Sequence, residues 1–235
     1  MTGLDERIRT LVQLMAQAKY LVVFTGAGIS TESGLPDFRG PDGLWTRKEK
    51  GLPPPTNVDW TQVQPNKAHQ AIAELQKMGV LKFLITQNVD NLHLRSGIKP
   101  ELIAEFHGNI TKLRCTSCAN QIDSFPDLMD ANCPICEKGR LVSSIVNFGD
   151  PIPFKVYEDS ARHSGLSDCF IVAGSSLVVQ PAAEMPDIAY KAGAKLIIIN
   201  SGETPLDSHC DLRFWESTGE VLPEAVNRLK EILKT

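Results

Sequence analysis

Four short apolar runs, each ending in polar or glycine-rich residues, constrain this chain more than any other feature. Tyr20-Leu21-Val22-Val23-Phe24 ends in Thr25-Gly26-Ala27-Gly28, and Leu81-Lys82-Phe83-Leu84-Ile85 ends in Thr86-Gln87-Asn88-Val89-Asp90. Phe170-Ile171-Val172-Ala173 ends in Gly174-Ser175-Ser176, and Leu196-Ile197-Ile198-Ile199 ends in Asn200. Continuous apolar runs of this length are strands covered on both faces; a half-exposed strand would alternate. Helical spacing appears between them, at Leu4, Ile8, Leu11, Val12, Met15 and Ala18 and again over 67–78. Strands that alternate with helices predict a parallel α/β sheet built through right-handed crossovers, with helices on both faces. In such sheets ligands bind beyond the carboxyl ends of the strands, where the glycines and polar residues of this chain gather.

The six cysteines add a second constraint. Cys115-Thr116-Ser117-Cys118 and Cys133-Pro134-Ile135-Cys136 form two C-x-x-C pairs fourteen residues apart, while Cys169 and Cys210 stand alone. Pairs at this spacing favour four thiolates around one zinc ion over disulfides or spare thiols, and a site with four thiolates leaves no open position for catalysis. The segment around them is too polar to build its own core, so a metal replaces hydrophobic burial. Cys169 lies in an apolar run and reads as a core residue; Cys210 reads as a surface or edge residue.

With 24 Lys and Arg against 28 Asp and Glu over 235 residues, the net charge is -4, and no basic run is present. General affinity for phosphate backbones is not expected, so no strong direct nucleic-acid binding is predicted. No apolar stretch approaches the roughly 20 residues of a membrane helix, and the start lacks a signal-peptide layout; no membrane association and a cytoplasmic location are the expectations.

After the first run, Gly26-Ala27-Gly28-Ile29-Ser30-Thr31 has two glycines at dinucleotide spacing, a phosphate cradle or simply a tight turn. The third glycine of the hydride-transfer fingerprint is Thr31, no acidic ribose ligand follows a second strand, and no Gly-Lys-Ser/Thr is present. An ordinary dehydrogenase and a phosphate-loop kinase are both disfavoured. The loop Glu32-Ser33-Gly34-Leu35-Pro36-Asp37-Phe38-Arg39-Gly40 sets an acid, an aromatic and a guanidinium together, which hydride transfer does not require.

Taken with Thr86 to Asp90, Phe106-His107-Gly108, the four cysteines and Gly174-Ser175-Ser176, this ordered set resembles the sirtuins, NAD-dependent protein lysine deacylases, from about Tyr20 to about Glu220. The resemblance implies a Rossmann-like NAD-binding domain over 1–44, 67–112 and 141–235. A zinc-binding module over 113–140 and a proline-rich loop or helical insertion over 45–66 would form the small domain. It further implies that Gly26, Ala27, Gly28 and Ser30 hold the pyrophosphate and adjoining ribose. Phe38 and Arg39 would belong to a loop covering the cofactor. Gln87, Asn88 and Asp90 would surround the nicotinamide and its ribose, Asp90 taking the carboxamide and Asn88 placing a water or hydroxyl. Gly174, Ser176 and Asn200 would line the adenosine side, and Thr31, Asp37, Trp45, Ser175, Ser201 and Thr218 complete the NAD set.

His107 is the candidate general base, suited to the task by an imidazole pKa near 6.5, and Asn88 is its catalytic companion. An isolated histidine would be read as a hydrogen-bonded core residue, as His69, His93, His163 and His209 are here. The run Val146-Asn147-Phe148-Gly149-Asp150 resembles the sirtuin strand that pairs with substrate, placing Val146, Phe148 and Gly149 beside acyl-lysine; alone it reads as a half-buried strand. Asp150 stands where glutamate is common.

The implied activity transfers an acetyl or other neutral acyl group from protein lysine to the ADP-ribose of NAD+, releasing nicotinamide and O-acyl-ADP-ribose. Protein ADP-ribosylation at the same site and a non-catalytic, zinc-stabilised NAD sensor are the alternatives. Residues 40–52 and the short passage to Pro65 resemble class IV sirtuins, whereas the cysteine spacing is closer to compact microbial members. Desuccinylating sirtuins carry a Tyr and an Arg three residues apart before the second strand, and Tyr20, Tyr157 and Tyr190 are the only tyrosines here.

Overall fold

The computed structural model describes residues 3–40, 43–53 and 62–234, apart from the side chains of Trp45 and Pro126. In chain order the elements are α1 (Leu4–Gln17), β1 (Leu21–Thr25), α2 (Leu44–Glu49), α3 (Lys67–Lys77), β2 (Leu81–Thr86), α4 (Leu92–Arg95) and β3 (Ile103–Glu105). There follow β4 (Lys112–Cys115), β5 (Gln121–Asp123), β6 (Leu141–Ser143), α5 (Phe154–Leu166), β7 (Cys169–Ala173), α6 (Glu184–Lys191), β8 (Lys195–Ile199), β9 (Leu212–Phe214) and α7 (Thr218–Ile232).

Six strands form one sheet in the order β3-β2-β1-β7-β8-β9, and every pairing in it is parallel. Successive side chains of a strand point to opposite faces, and the continuous apolar runs feed two cores. Leu21, Val23, Ile171, Ala173, Ile197 and Ile199 pack with α1, α3 and α7 on one side. Val22, Phe24, Phe170, Val172, Leu196 and Ile198 pack with α6 and the inner face of α5 on the other. Cys169 is buried in β7 and burial pushes its thiol up to about 12, so it is a core residue. The order of the sheet reverses between β1 and β7, which opens a crevice at the carboxyl ends of its two central strands.

A separate antiparallel sheet, β5-β4-β6, carries the paired cysteines. Its strands of three or four residues bury Leu113, Cys115 and Leu141, which with Cys133 from the loop before β6 form a small core of their own.

The turn after β1 continues into a 3-10 helix, Ala27–Ser33, stopped by Gly34 in the left-handed region at φ 91. One local expectation is corrected: residues 146–150 are irregular rather than a strand. Asp150 Oδ2 accepts from the main-chain and side-chain nitrogens of Asn147 at 3.0 Å each, and Gly149 is left-handed at φ 91, so the run folds into a turn.

Candidate active site

Three glycines lock the ends of the two central strands together. Gly26 N–H donates to the Ala173 carbonyl at 3.2 Å and Gly28 N–H to the Gly174 carbonyl at 2.9 Å. A Cβ on Gly28 would lie 2.8 Å from Gly174 Cα, and one on Gly174 would lie 2.3 Å from Ile29 N, with Gly174 already at φ +68. The room these residues leave is therefore taken up first by main chain against main chain, and the Gly28 amide is spent inside the protein.

Around this interlock lies a buried polar cluster. Ser30 Oγ donates to Asp90 Oδ2 at 2.6 Å and accepts from Asn88 Nδ2 at 3.1 Å, while Asp90 Oδ1 accepts from Leu92 N at 2.9 Å. Ser30, Asn88 and Asp90 are all buried, so this is a carboxylate held by fixed donors in a poorly hydrated pocket. Gln87 Nε2 donates to Ser175 Oγ at 2.7 Å, tying the end of β2 to that of β7.

Beneath the cluster lie two histidines that sequence reading left in the core. His69 Nε2 stands 3.5 Å from Ser30 Oγ, and burial, opposed by the Asp90 charge, holds His69 down to about 4. His93 Nε2 is 2.9 Å from Thr25 Oγ1, which donates to Thr86 Oγ1 at 2.8 Å. Burial lowers the His93 pKa, and the neighbouring His69 adds to the effect.

His107 follows the edge strand β3, and its Nδ1 lies 3.0 Å from the Gln87 carbonyl oxygen. A carbonyl only accepts, so Nδ1 carries the hydrogen and the neutral ring keeps the Nε2 lone pair for a proton. Burial lowers its pKa, with the Gln87 carbonyl opposing. The His107 carbonyl accepts from Val146 N at 3.0 Å, which places the 146–150 run beside the base. Phe148 and Gly149 are exposed there.

The remaining predicted contacts are peripheral to this cluster. Asp37 Oδ1 caps its own loop through Gly40 N at 3.0 Å, and Phe38 and Arg39 are exposed beyond it. Thr31 Oγ1 donates to the Gly28 carbonyl, and Ala27 opens the 3-10 helix. Ser176 is half-buried beside Ser175; Asn200 Nδ2 donates to the Gly202 carbonyl at 2.9 Å, with Ser201 exposed between. Thr218 is buried as the first residue of α7, whose cap is Ser217. Trp45 lies in α2, its side chain outside the described residues.

The four thiol sulfurs of Cys115, Cys118, Cys133 and Cys136 all lie within 4.8 Å of one another. Cys115 and Cys136 sulfurs are 3.6 Å apart, and those of Cys118 and Cys133 3.8 Å apart. Four sulfurs at about 2.3 Å from a tetrahedral zinc stand about 3.8 Å apart, so the set fits that ion. The amides of Cys118 and Ser117 point at Cys115 Sγ and lower its thiol to about 6, whereas the neighbouring thiols raise that of Cys118.

Sequence reading missed the residues that brace the base. Glu105 and Asn109 stand two positions to either side of His107, and Asn109 Nδ2 donates both to Glu105 Oε1 and to Asn91 Oδ1. The signal lay in polar residues flanking a histidine at the end of a strand, but such residues have no periodic pattern.

A family model described as the Sir2 family matches residues 26–61 and 54–181. NAD-dependent protein deacylase 1 of Archaeoglobus fulgidus is 42% identical, over 98% of this chain and 100% of the relative. A solved Sir2 homolog–NAD complex is 41% identical with a TM-score of 0.76, covering 96% of this chain and 94% of its own. A solved complex of Sir2 with a p53 peptide and NAD+ is 32% identical with a TM-score of 0.73, covering 97% and 98%.

Proposed function

Since this chain belongs to the Sir2 family, we infer that it is an enzyme that removes acyl groups from lysines of protein or peptide substrates at the expense of NAD+. The observation that carries the reading is a neutral imidazole, its Nε2 without a partner among the described residues, oriented by the carbonyl of Gln87, which is next in the chain to Asn88 of the buried Ser30–Asn88–Asp90 cluster.

NAD+ contributes, when bound, an electrophilic ribose carbon with nicotinamide as leaving group, the acyl group ending on ADP-ribose. Gly26, Ala27, Gly28 and Ser30 take the pyrophosphate side, and Gly174, Ser175, Ser176, Asn200 and Ser201 the adenosine side. Asp90 accepts a hydrogen bond from the carboxamide N–H, and Asn88, beside Ser30, positions a ribose hydroxyl or water. His107 removes a proton from a ribose hydroxyl at Nε2, and its low pKa keeps it unprotonated near neutral pH. Val146, Phe148 and Gly149 flank the acyl-lysine, which enters between the ends of the six-stranded sheet and the cysteine module over 113–140. Residues 45–53 and 62–66 go with the smaller part, the rest of that insertion, 54–61, lying outside the described residues; Phe38, Arg39, Trp45 and Thr218 lie around the cofactor. Zinc, held by the four cysteines, has a structural role only.

Neutral acyl groups are the preferred cargo. Tyr20 Oη is paired with His163 Nδ1 at 2.7 Å below the start of β1, Tyr157 Oη donates to Glu184, and Tyr190 packs on His209. No tyrosine stands between 21 and 156, the stretch that would have to supply a Tyr–Arg pair before β2. The test combines protein, NAD+ and acetyl-lysine peptide: nicotinamide and free lysine form only when all three are present. Peptide hydrolysis without NAD+ would sink the reading, and faster turnover of a succinyl-lysine than an acetyl-lysine peptide would sink the acyl preference.

A further inference from the structure

We propose that Glu105 is a positioning residue for the general base, clamping with Asn109 the turn that carries His107; this rests on the deacylase reading. The turn is closed first by main chain, Gly108 N–H donating to the Glu105 carbonyl at 3.0 Å with Gly108 at φ +84. Side chains close it a second time. Asn109 Nδ2 donates to Glu105 Oε1, and its other hydrogen goes to Asn91 Oδ1 at 2.9 Å.

Asn109 has no freedom to do otherwise. It is fully buried, its Oδ1 accepts from both Thr111 N and Thr111 Oγ1 at 2.8 Å, and its main chain exchanges two hydrogen bonds with Ser144 Oγ. Turning the amide would orphan several buried groups at once. Asn91 follows Asp90 and sits in the left-handed region at φ 64. Glu105 and Asn109, whose side chain reaches Asn91 and whose main chain holds Ser144, therefore link β3, the Asp90 loop and the return from β6 around the base.

Without Glu105, one Asn109 N–H is left buried with no acceptor, and the turn gains freedom at the residue between. Glu105 is mostly enclosed, and its carboxyl is pushed up to about 7, chiefly by burial. The Asn109 amide and Lys112, on β4, oppose that rise, and Asp90 adds to it. The clamp is thus set near neutral pH by a group distinct from His107.

Wild type, Glu105→Gln and Glu105→Ala are compared by kcat and KM for NAD+ and acetyl-lysine peptide between pH 5.5 and 9. Thermal unfolding and an NMR titration of the His107 ring are added without NAD+. Glu105→Ala is expected to lower kcat by about ten- to a hundredfold with both KM values within about threefold, and to move the His107 titration. Glu105→Gln keeps an acceptor, so it restores kcat to within about threefold at pH 8 while its profile loses an ionisation near 7. Wild-type kcat and His107 titration in Glu105→Ala would overturn the clamp. If that variant does not fold, a Glu105→Gln pH profile identical to wild type overturns it instead. Absence of turnover in the wild type strikes at the deacylase reading alone, since the ring titration still judges the clamp.

Discussion

His107 Nδ1 and the main-chain oxygen of Gln87 are 3.0 Å apart, and a partner that can only accept fixes which imidazole nitrogen is left to act. The base works unprotonated, and burial depresses its pKa, so the working form survives to lower pH than in free imidazole. The acid limb of kcat/KM assigned to His107 falls below about 6.5. His107→Ala is expected to lower acetyl-lysine turnover by at least about a hundredfold while the protein still unfolds at its usual temperature. A pH-rate series on both proteins, with calorimetry, checks this.

Gly174 is needed for shape before chemistry. A methyl there meets Ile29 N at 2.3 Å on a left-handed backbone, so Gly174→Ala should cost roughly 2 kcal/mol or more in urea unfolding. NAD+ affinity should fall as well. Unchanged stability would show that the interlock yields more readily than its geometry implies.

The cysteine module should hold one zinc per chain. Metal analysis of purified protein, followed by Cys118→Ser, tests this: the variant loses the ion and unfolds at lower temperature, because the β5-β4-β6 sheet has almost no other core. Retention of the full metal content by Cys118→Ser would count against four-thiolate ligation.

His69 should make stability depend on pH. Its folded pKa is lowered to about 4 from 6.5, so the unfolded chain binds the extra proton between those values. Its stabilisation is full above about 6.5 and is lost as pH falls toward 4, on the order of 3 kcal/mol in all. Glu105 has the opposite sign: with a folded pKa raised to about 7, its contribution is present below about 4.5 and is lost as pH rises through 7. Urea unfolding of wild type and His69→Gln from pH 4 to 7 separates the two, and parallel curves would remove His69 from the account.

The central strands were legible because a sheet covered on both faces demands apolar residues at every position, and Val22 and Val23 feed opposite cores. The cysteine spacing and the polar strand ends were legible for a similar reason, as each depends on residues close in sequence. Other parts depend on partners far away. β3 and β9 have three residues each, too few to show a period. The 146–150 run has strand-like composition, yet the Asn147–Asp150 bonds fold it back. Asn66 and His69 reach Ile29 and Ser30 across the fold, and no local signal announces that contact.

The glycine interlock also determines where this protein can change. Gly28 and Gly174 meet each other through main chain, and Gly26 is wedged between the Gly174 carbonyl and the Ser175 and Gln87 side chains, so none of the three leaves room for a side chain of its own. Variation compatible with the fold is pushed outward, to exposed residues such as Phe38, Arg39 and Phe148. An engineer seeking a different acyl preference should randomise the 146–150 turn and leave the strand ends untouched.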